Sequence, residues 1–297
     1  MAWALPLPSP LDPARALKEA IAGRVVSFFN DRSRAEDAVI PRPDGLFGPG
    51  SVTWRVHADV TGMMVGGIAS LLLQMLHPRV LAGVWDHSTF RADMQGRLRR
   101  TARFIAVTTY GGQEEAEAAI ARVRRIHDRV RGRLPDGTPY AANDPWLLAW
   151  VHVTETWCFL EGWRAYGEPR MPPADQNRYF AEMARIGQAL GADPVPRSRR
   201  EAAAIMARFR PELVVDHRTR AVRDFLLRTA STDPLTAAVQ AVGNQAAIAL
   251  LPPWARRMHG LSSPLLARPL VQGATFAVAS AIRWAFAGRE RGGEGQR

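Results

Sequence analysis

Apolar positions recur with a helical period along most of this 297-residue chain, and the strict alternation of half-buried strands is scarce. The spacing predicts helices near 14–29, 57–76, 78–84, 91–110, 113–132, 145–166, 173–190, 199–208, 218–229, 234–250 and 263–286. Breakers fall between them: "PRPDGLFGPG" (41–50), "LPDGTPY" (134–140), "ANDP" (142–145) and "LLPPW" (250–254) read as loops or turns. Asn143 and Asp144 can cap the helix that starts at Pro145. Residues 1–13 read as a proline-rich arm, and "GRERGGEGQR" (288–297) as a polar tail that cannot pack. No repeat is visible and no linker is long enough to divide the core. The expectation is one all-α domain over residues 14–287.

The helical faces sharpen this picture. On a wheel of 113–132, Ala116, Ala119, Ile120, Val123, Ile126 and Val130 share one arc, and His127 lies inside it. Arg122, Arg125 and Arg129 lie opposite, and Arg124 and Arg131 flank the other edge. The arginines of "ARVRRIHDRVRG" (121–132) therefore face water while the histidine faces inward. In "GRLRRTARF" (96–104), the stripe Leu98, Ala102, Ile105, Thr109 faces the core, with Arg97, Thr101, Phe104 and Thr108 as the ridge beside it. A guanidinium and a hydroxyl one turn apart at a buried margin suit an anion or a polarised ligand. They equally suit an arginine that snorkels to water and a threonine bonded to its own helix. "DPWLLAWVHVTETWCFLEGW" (144–163) is apolar on nearly every side and should be central. His152, Glu155 and Phe159 share a stripe there, as a ligand pair, a supporting pair or a structural hydrogen bond.

Composition adds constraints. The apolar fraction of 47% is that of an ordinary globular protein. The net charge is +11, yet Lys18 is the one lysine and the arginines are dispersed, so a solvated basic surface is expected and nucleic acid binding is not. Cys158 stands alone in an apolar stretch and reads as a small buried hydrophobe. The start of the chain lacks a charged region before its apolar run and does not read as a signal peptide, which makes the cytoplasm the default location. Residues 60–76 and 269–288 approach membrane-span length. Gln74, Gln272 and Arg283 interrupt them, so both are expected to be buried core helices, with peripheral membrane contact as the other option.

No dinucleotide fingerprint, phosphate loop, HExxH or GxSxG occurs. A metal held by histidines and carboxylates stays open, and so does a haem, which needs one axial side chain in an apolar pocket. The inward His127 fits the second better. His77 and His87 flank "PRVLAGVWD" and read as helix-end residues, whereas His57, His217 and His259 carry no specific signal.

The run from "LLLQMLHPRVLAGVWDHSTF" (71–90) through "GRLRRT" (96–101), "RRIHDRVRG" (124–132), "DGTPYAA" (136–142) and "WVH" (150–152) resembles the rubber oxygenase (latex clearing protein) and mpaB-type oxygenase family. Weaker likeness extends the coverage to about 45–285. The resemblance implies an all-helical fold with a buried pocket for haem b, His127 as the axial iron ligand, and Arg97, Arg100 and Thr101 on the oxygen-handling side. His152 is a second pocket residue, or the axial ligand in place of His127. Arg97 and Thr101 would hold a haem propionate or bound oxygen. Arg100 stands where the family's rubber oxygenases carry a lysine, and an arginine stays charged. Those enzymes also use a glutamate upstream of the arginine; none lies between Asp37 and Glu114, where Asp44, Asp59, Asp86 and Asp93 are the available acids. Polymer cleavage is therefore not carried over. The function implied is a haem-dependent oxygenase acting with O2 on a hydrophobic, unsaturated or prenylated small molecule. A haem sensor or carrier, a peroxide-using haem protein, and a haem-free helical module for lipid or protein are the rival expectations.

Overall fold

A computed structural model describes residues 14–19, 21, 23, 39–228, 233–262 and 268–286. The expected arm (1–13) and tail (288–297) lie outside these, as does much of the first predicted helix, of which 14–19 are helical. The rest is α1 (Val52–His57), α2 (Val60–Gln74), α3 (Pro78–His87), α4 (Met94–Tyr110), α5 (Gln113–His127), α6 (Pro145–Tyr166), α7 (Pro173–Leu190), α8 (Arg199–Phe209), α9 (His217–Leu226), α10 (Pro234–Leu250), α11 (Pro253–His259) and α12 (Arg268–Phe286). The all-α expectation holds, with one two-stranded hairpin, β1 (Arg131–Arg133) against β2 (Pro139–Ala141).

The core is organised around α6. Pro145 supplies its first turn, and the Asp144 carboxylate accepts from the Trp146 backbone N–H at 2.9 Å. Trp150, Val153, Cys158 and Leu160 are fully buried, so the helix is covered on several sides at once. Its main partner is α2, and the two approach closely because glycines meet at the crossing. A Cβ on Gly162 would run into the carbonyl oxygen of Gly62, and one on Gly66 would stand 2.7 Å from the carbonyl oxygen of Cys158. The apolar, glycine-rich segment near residues 60–76 is thus a core helix. Among the described residues no single helix is long and apolar enough to cross a membrane, although α2 and α3, bent by 107°, pass together on length and composition alone.

Three boundary differences and one difference in burial bear on the fold. The predicted helix 57–76 breaks at Ala58–Asp59, because the Asp59 side chain accepts from Gly62 N at 2.7 Å and starts α2 afresh. The helix predicted to reach 132 stops at His127. There Asn143, expected as a cap for α6, instead donates to Arg124 O at 3.3 Å and to Asp128, and the chain turns into β1. Val130 therefore leaves the helical wheel, and Ile126, expected inside, is 52% exposed. "LLPPW" is only partly a loop, since Pro253 opens α11. Finally, α12 is a surface helix: Thr275, Ala279 and Ala285 are buried, but Leu270, Phe276 and Trp284 are 76%, 48% and 41% exposed. Its Arg283 reaches inward to Asp59 at 2.5 Å, which ties the helix to the start of α2.

Candidate functional site

A small cavity of about 60 Å³ lies between α6, α7, the second half of α4 and the end of α5. From α6 it takes Leu148, Val151, His152, Glu155 and Phe159, so the predicted stripe faces one space. Phe104, Ile105 and Thr108 come from α4, Met183, Ile186 and Gly187 from α7, His127 from α5 and His57 from α1. Apolar walls with a few polar groups are the usual make-up of a ligand site. At this volume, however, the cavity is well below the roughly 300–1,000 Å³ of pockets for drug-sized molecules.

The histidines divide by their hydrogen bonds. His57 Nδ1 lies 2.8 Å from Thr109 Oγ1 and its Nε2 lies 2.9 Å from Tyr179 Oη. His77 Nε2 is 3.2 Å from Glu212, His87 Nε2 is 3.2 Å from Tyr140 Oη, and His259 Nε2 is 2.8 Å from Leu72 O. His217 is exposed. The imidazoles of His127 and His152 make no hydrogen bond among the described residues; Nδ1 of the first and Nε2 of the second are buried without a partner. An unbonded buried polar atom costs about 1–3 kcal/mol, so two at one cavity call for an explanation.

Burial sets the ionisation of these groups. It pushes His57 down to about 3 and His152 down to about 4, so both are neutral at ordinary pH. Burial also lowers His127, against the opposing charge of Asp128. It raises the Glu155 carboxyl to about 7. Glu155 opens toward the cavity, yet it has no hydrogen bond or ion pair among the described residues. His152 packs so closely on α7 that a Cβ on Gly187 would stand 2.8 Å from its Cδ2 and Nε2. Only a glycine there leaves room for the ring.

The residues expected on the oxygen-handling side sit on the same helix as the cavity wall, toward its start. Arg97 is half-buried, and its side chain bonds only Ser88 Oγ, at 2.6 Å, with no carboxylate beside it among the described residues. Burial and the charge of Arg100 lower its pKa. Thr101 is exposed and donates to the Arg97 carbonyl of its own helix at 3.2 Å; Arg100 is exposed and approaches Asp93 at 3.5 Å. None of the three lines the cavity. Of the 17 residues of α4 only Thr108 and Thr109 are buried, and the apolar Leu98, Ala102 and Ile105 are half-covered. Phe104 and Ile105 nevertheless pack against the core and line the cavity. The four aspartates upstream are elsewhere: Asp44 pairs with Arg42, Asp59 with Arg283, Asp86 accepts from Tyr140, and Asp93 caps α4. Sequence reading passed over His57, because its partners Thr109 and Tyr179 are 52 and 122 residues away and leave no local signal.

Among the described residues no group of three or more His, Cys, Asp and Glu side chains is arranged to hold a metal ion by itself. What the fold does define is an all-helical domain with a small cavity, lined in part by His57, His127 and His152, at one side of its buried central helix. Residues 54–284 match the family described as ER-bound oxygenase mpaB/B'/Rubber oxygenase, catalytic domain, and the chain belongs to that family. No curated protein and no solved structure matches it.

Proposed function

We propose that the chain is a haem b-dependent oxygenase that acts with O2 on a hydrophobic small molecule carrying an unsaturated or prenyl group. The observation that carries this reading is the pair of imidazoles without hydrogen bonds, His127 and His152, each with one buried ring nitrogen, at the cavity of an oxygenase-family fold. One imidazole free of competing bonds suffices as an axial ligand, and a half-buried arginine without a carboxylate suits a propionate. The cavity alone is too small for a macrocycle, whereas the half-covered face of α4 beside it supplies apolar surface.

His127 is the better ligand of the two. It ends α5 and is half-buried, while His152 is enclosed by α6 and α7 against Gly187. A bound haem would supply the redox iron that makes O2 reactive toward an alkene. The chain's own residues do the rest. Arg97, with no carboxylate beside it among the described residues, is free to hold negative charge. Leu98, Ala102 and Ile105 exclude water and receive the apolar substrate. Thr101, once its side chain turns from the Arg97 carbonyl, presents a hydroxyl on the same ridge, and Arg100 adds positive charge at the rim.

The test is oxygen consumption by the hemin-loaded full chain with a prenylated aromatic compound and isotopically labelled O2. Label in the product, lost in His127→Ala, is the expected result. Haem uptake with no turnover on any of a panel of alkenes, with or without peroxide, would make the protein a haem carrier and overturn the oxygenase reading.

A further inference from the structure

A second cavity, of about 420 Å³, lies on another side of α6 and shares no lining residue with the histidine-lined one. Its size falls within the roughly 300–1,000 Å³ of small-molecule sites, which the first cavity does not reach. Trp157 and Glu161, one turn apart on α6, form one wall. Leu250 at the end of α10, Arg256 on α11 and Val271 on α12 contribute to the others, so four helices converge on this space.

Two of the described side chains in the lining are charged, Glu161 and Arg256, and they are not equivalent. The Glu161 carboxylate is neutralised by residues outside the lining. Arg164 Nη1 donates to its two oxygens at 2.9 and 3.1 Å, and Arg199 Nη1 donates to Oε1 as well. Arg199 also lies over the Trp157 ring, with its guanidinium carbon 4.5 Å from the ring centroid, so one residue fixes both side chains of this wall. With Arg256 counted, three guanidinium groups stand in the wall or bonded to it against one carboxylate, and the balance is positive. A cleft with low-dielectric walls and an excess of one charge draws the opposite ion. Trp157, Leu250 and Val271 add apolar surface that gains by being covered.

We propose that this cavity binds an aliphatic carboxylate. Its chain lies against Trp157, Leu250 and Val271, and its head group pairs with the Arg256 guanidinium, whose parallel N–H groups match a carboxylate. A cationic amphiphile is disfavoured, because Glu161 is already committed to two arginines. The site is separate from the histidine-lined cavity and needs no cofactor there.

The experiment is isothermal titration calorimetry of the full chain with decanoate, 1-decanol and decylammonium, which share one chain and differ in head-group charge. Wild type is expected to bind one decanoate, about tenfold or more tighter than decanol, as a charge-assisted hydrogen bond would give, and decylammonium more weakly still. Arg256→Met is expected to bring decanoate down to the affinity of decanol. Val271→Trp keeps the charges but fills the space, and is expected to weaken both decanoate and decanol by about tenfold or more. Circular dichroism checks the fold of each variant, and the comparison of ligands in wild type needs no variant at all. No decanoate binding, equal affinity for decanoate and decanol, or a preference for decylammonium would overturn the proposal. Decanoate binding that is unchanged in folded Val271→Trp would place the ligand elsewhere and overturn it as well.

Discussion

Gly187 and His152 illustrate how single residues shape the cavity. The ring of His152 occupies the space that any side chain at 187 would need. Gly187→Ala should lower stability by about 1–3 kcal/mol through overpacking, although alanine favours a helix; urea unfolding would read this, and unchanged stability would mean the ring swings aside freely. Glu155 gives a pH-dependent expectation. Its folded-state pKa of about 7 stands above the ordinary 4.5, so the native chain holds a proton that the unfolded chain releases. Stability contributed by the protonated form is lost as pH rises from about 4.5 through about 7. Glu155→Gln should therefore gain on wild type between about pH 5 and pH 8, by at most about 3 kcal/mol. A gap that does not grow with pH would contradict the burial of this carboxyl. His152 runs the other way: with its pKa at about 4 against 6.5, neutral-state stability is lost as pH falls below 6.5. At this scale His127, His152, Glu155 and Phe159 were legible, because a helical wheel places them on one face of their helices. His57 was not, since its partners come from distant elements.

At the scale of elements, the contact between α2 and α6 depends on glycines that a hydropathy pattern cannot rank. Gly162→Ala should reduce stability by about 1–3 kcal/mol despite its better helix propensity, because α2 cannot move away without opening the core. A thermal melt unchanged or raised would show that the two helices adjust. The other informative element is α12. Its apolar composition led to an expectation of burial, but only one position per turn or so packs, and Arg283 is drawn in by Asp59. Leu270→Ser on its outer side, at a position 76% exposed, should change stability by less than about 0.5 kcal/mol. Asp59→Ala should cost about 1–3 kcal/mol, since it removes both the cap of α2 and the partner of Arg283. Comparable effects of the two substitutions, compared by urea unfolding, would contradict that division of labour. The end of α5 was beyond sequence reading for a related reason. Residues 128–132 continue the helical pattern well enough, and the side chain that competes with it, Asn143, comes from the far side of the hairpin.

For the whole molecule, the described residues form one helical body around α6, and the family match spans 54–284, nearly all of it. The family match, rather than the small cavity alone, links this fold to oxygenases. Sequence spacing found the helices that build the cavity, but it could not show that Leu98 and Ala102 of α4 are left half-covered, because coverage depends on what does not pack there. The most direct measurement is the visible absorption spectrum of the full chain titrated with hemin, with wild type beside His127→Ala and His152→Ala. A Soret band that saturates at one hemin per chain, kept in His152→Ala and lost or shifted in His127→Ala, is the predicted result. A chain that takes up no hemin, or a band that follows His152 and ignores His127, would contradict it.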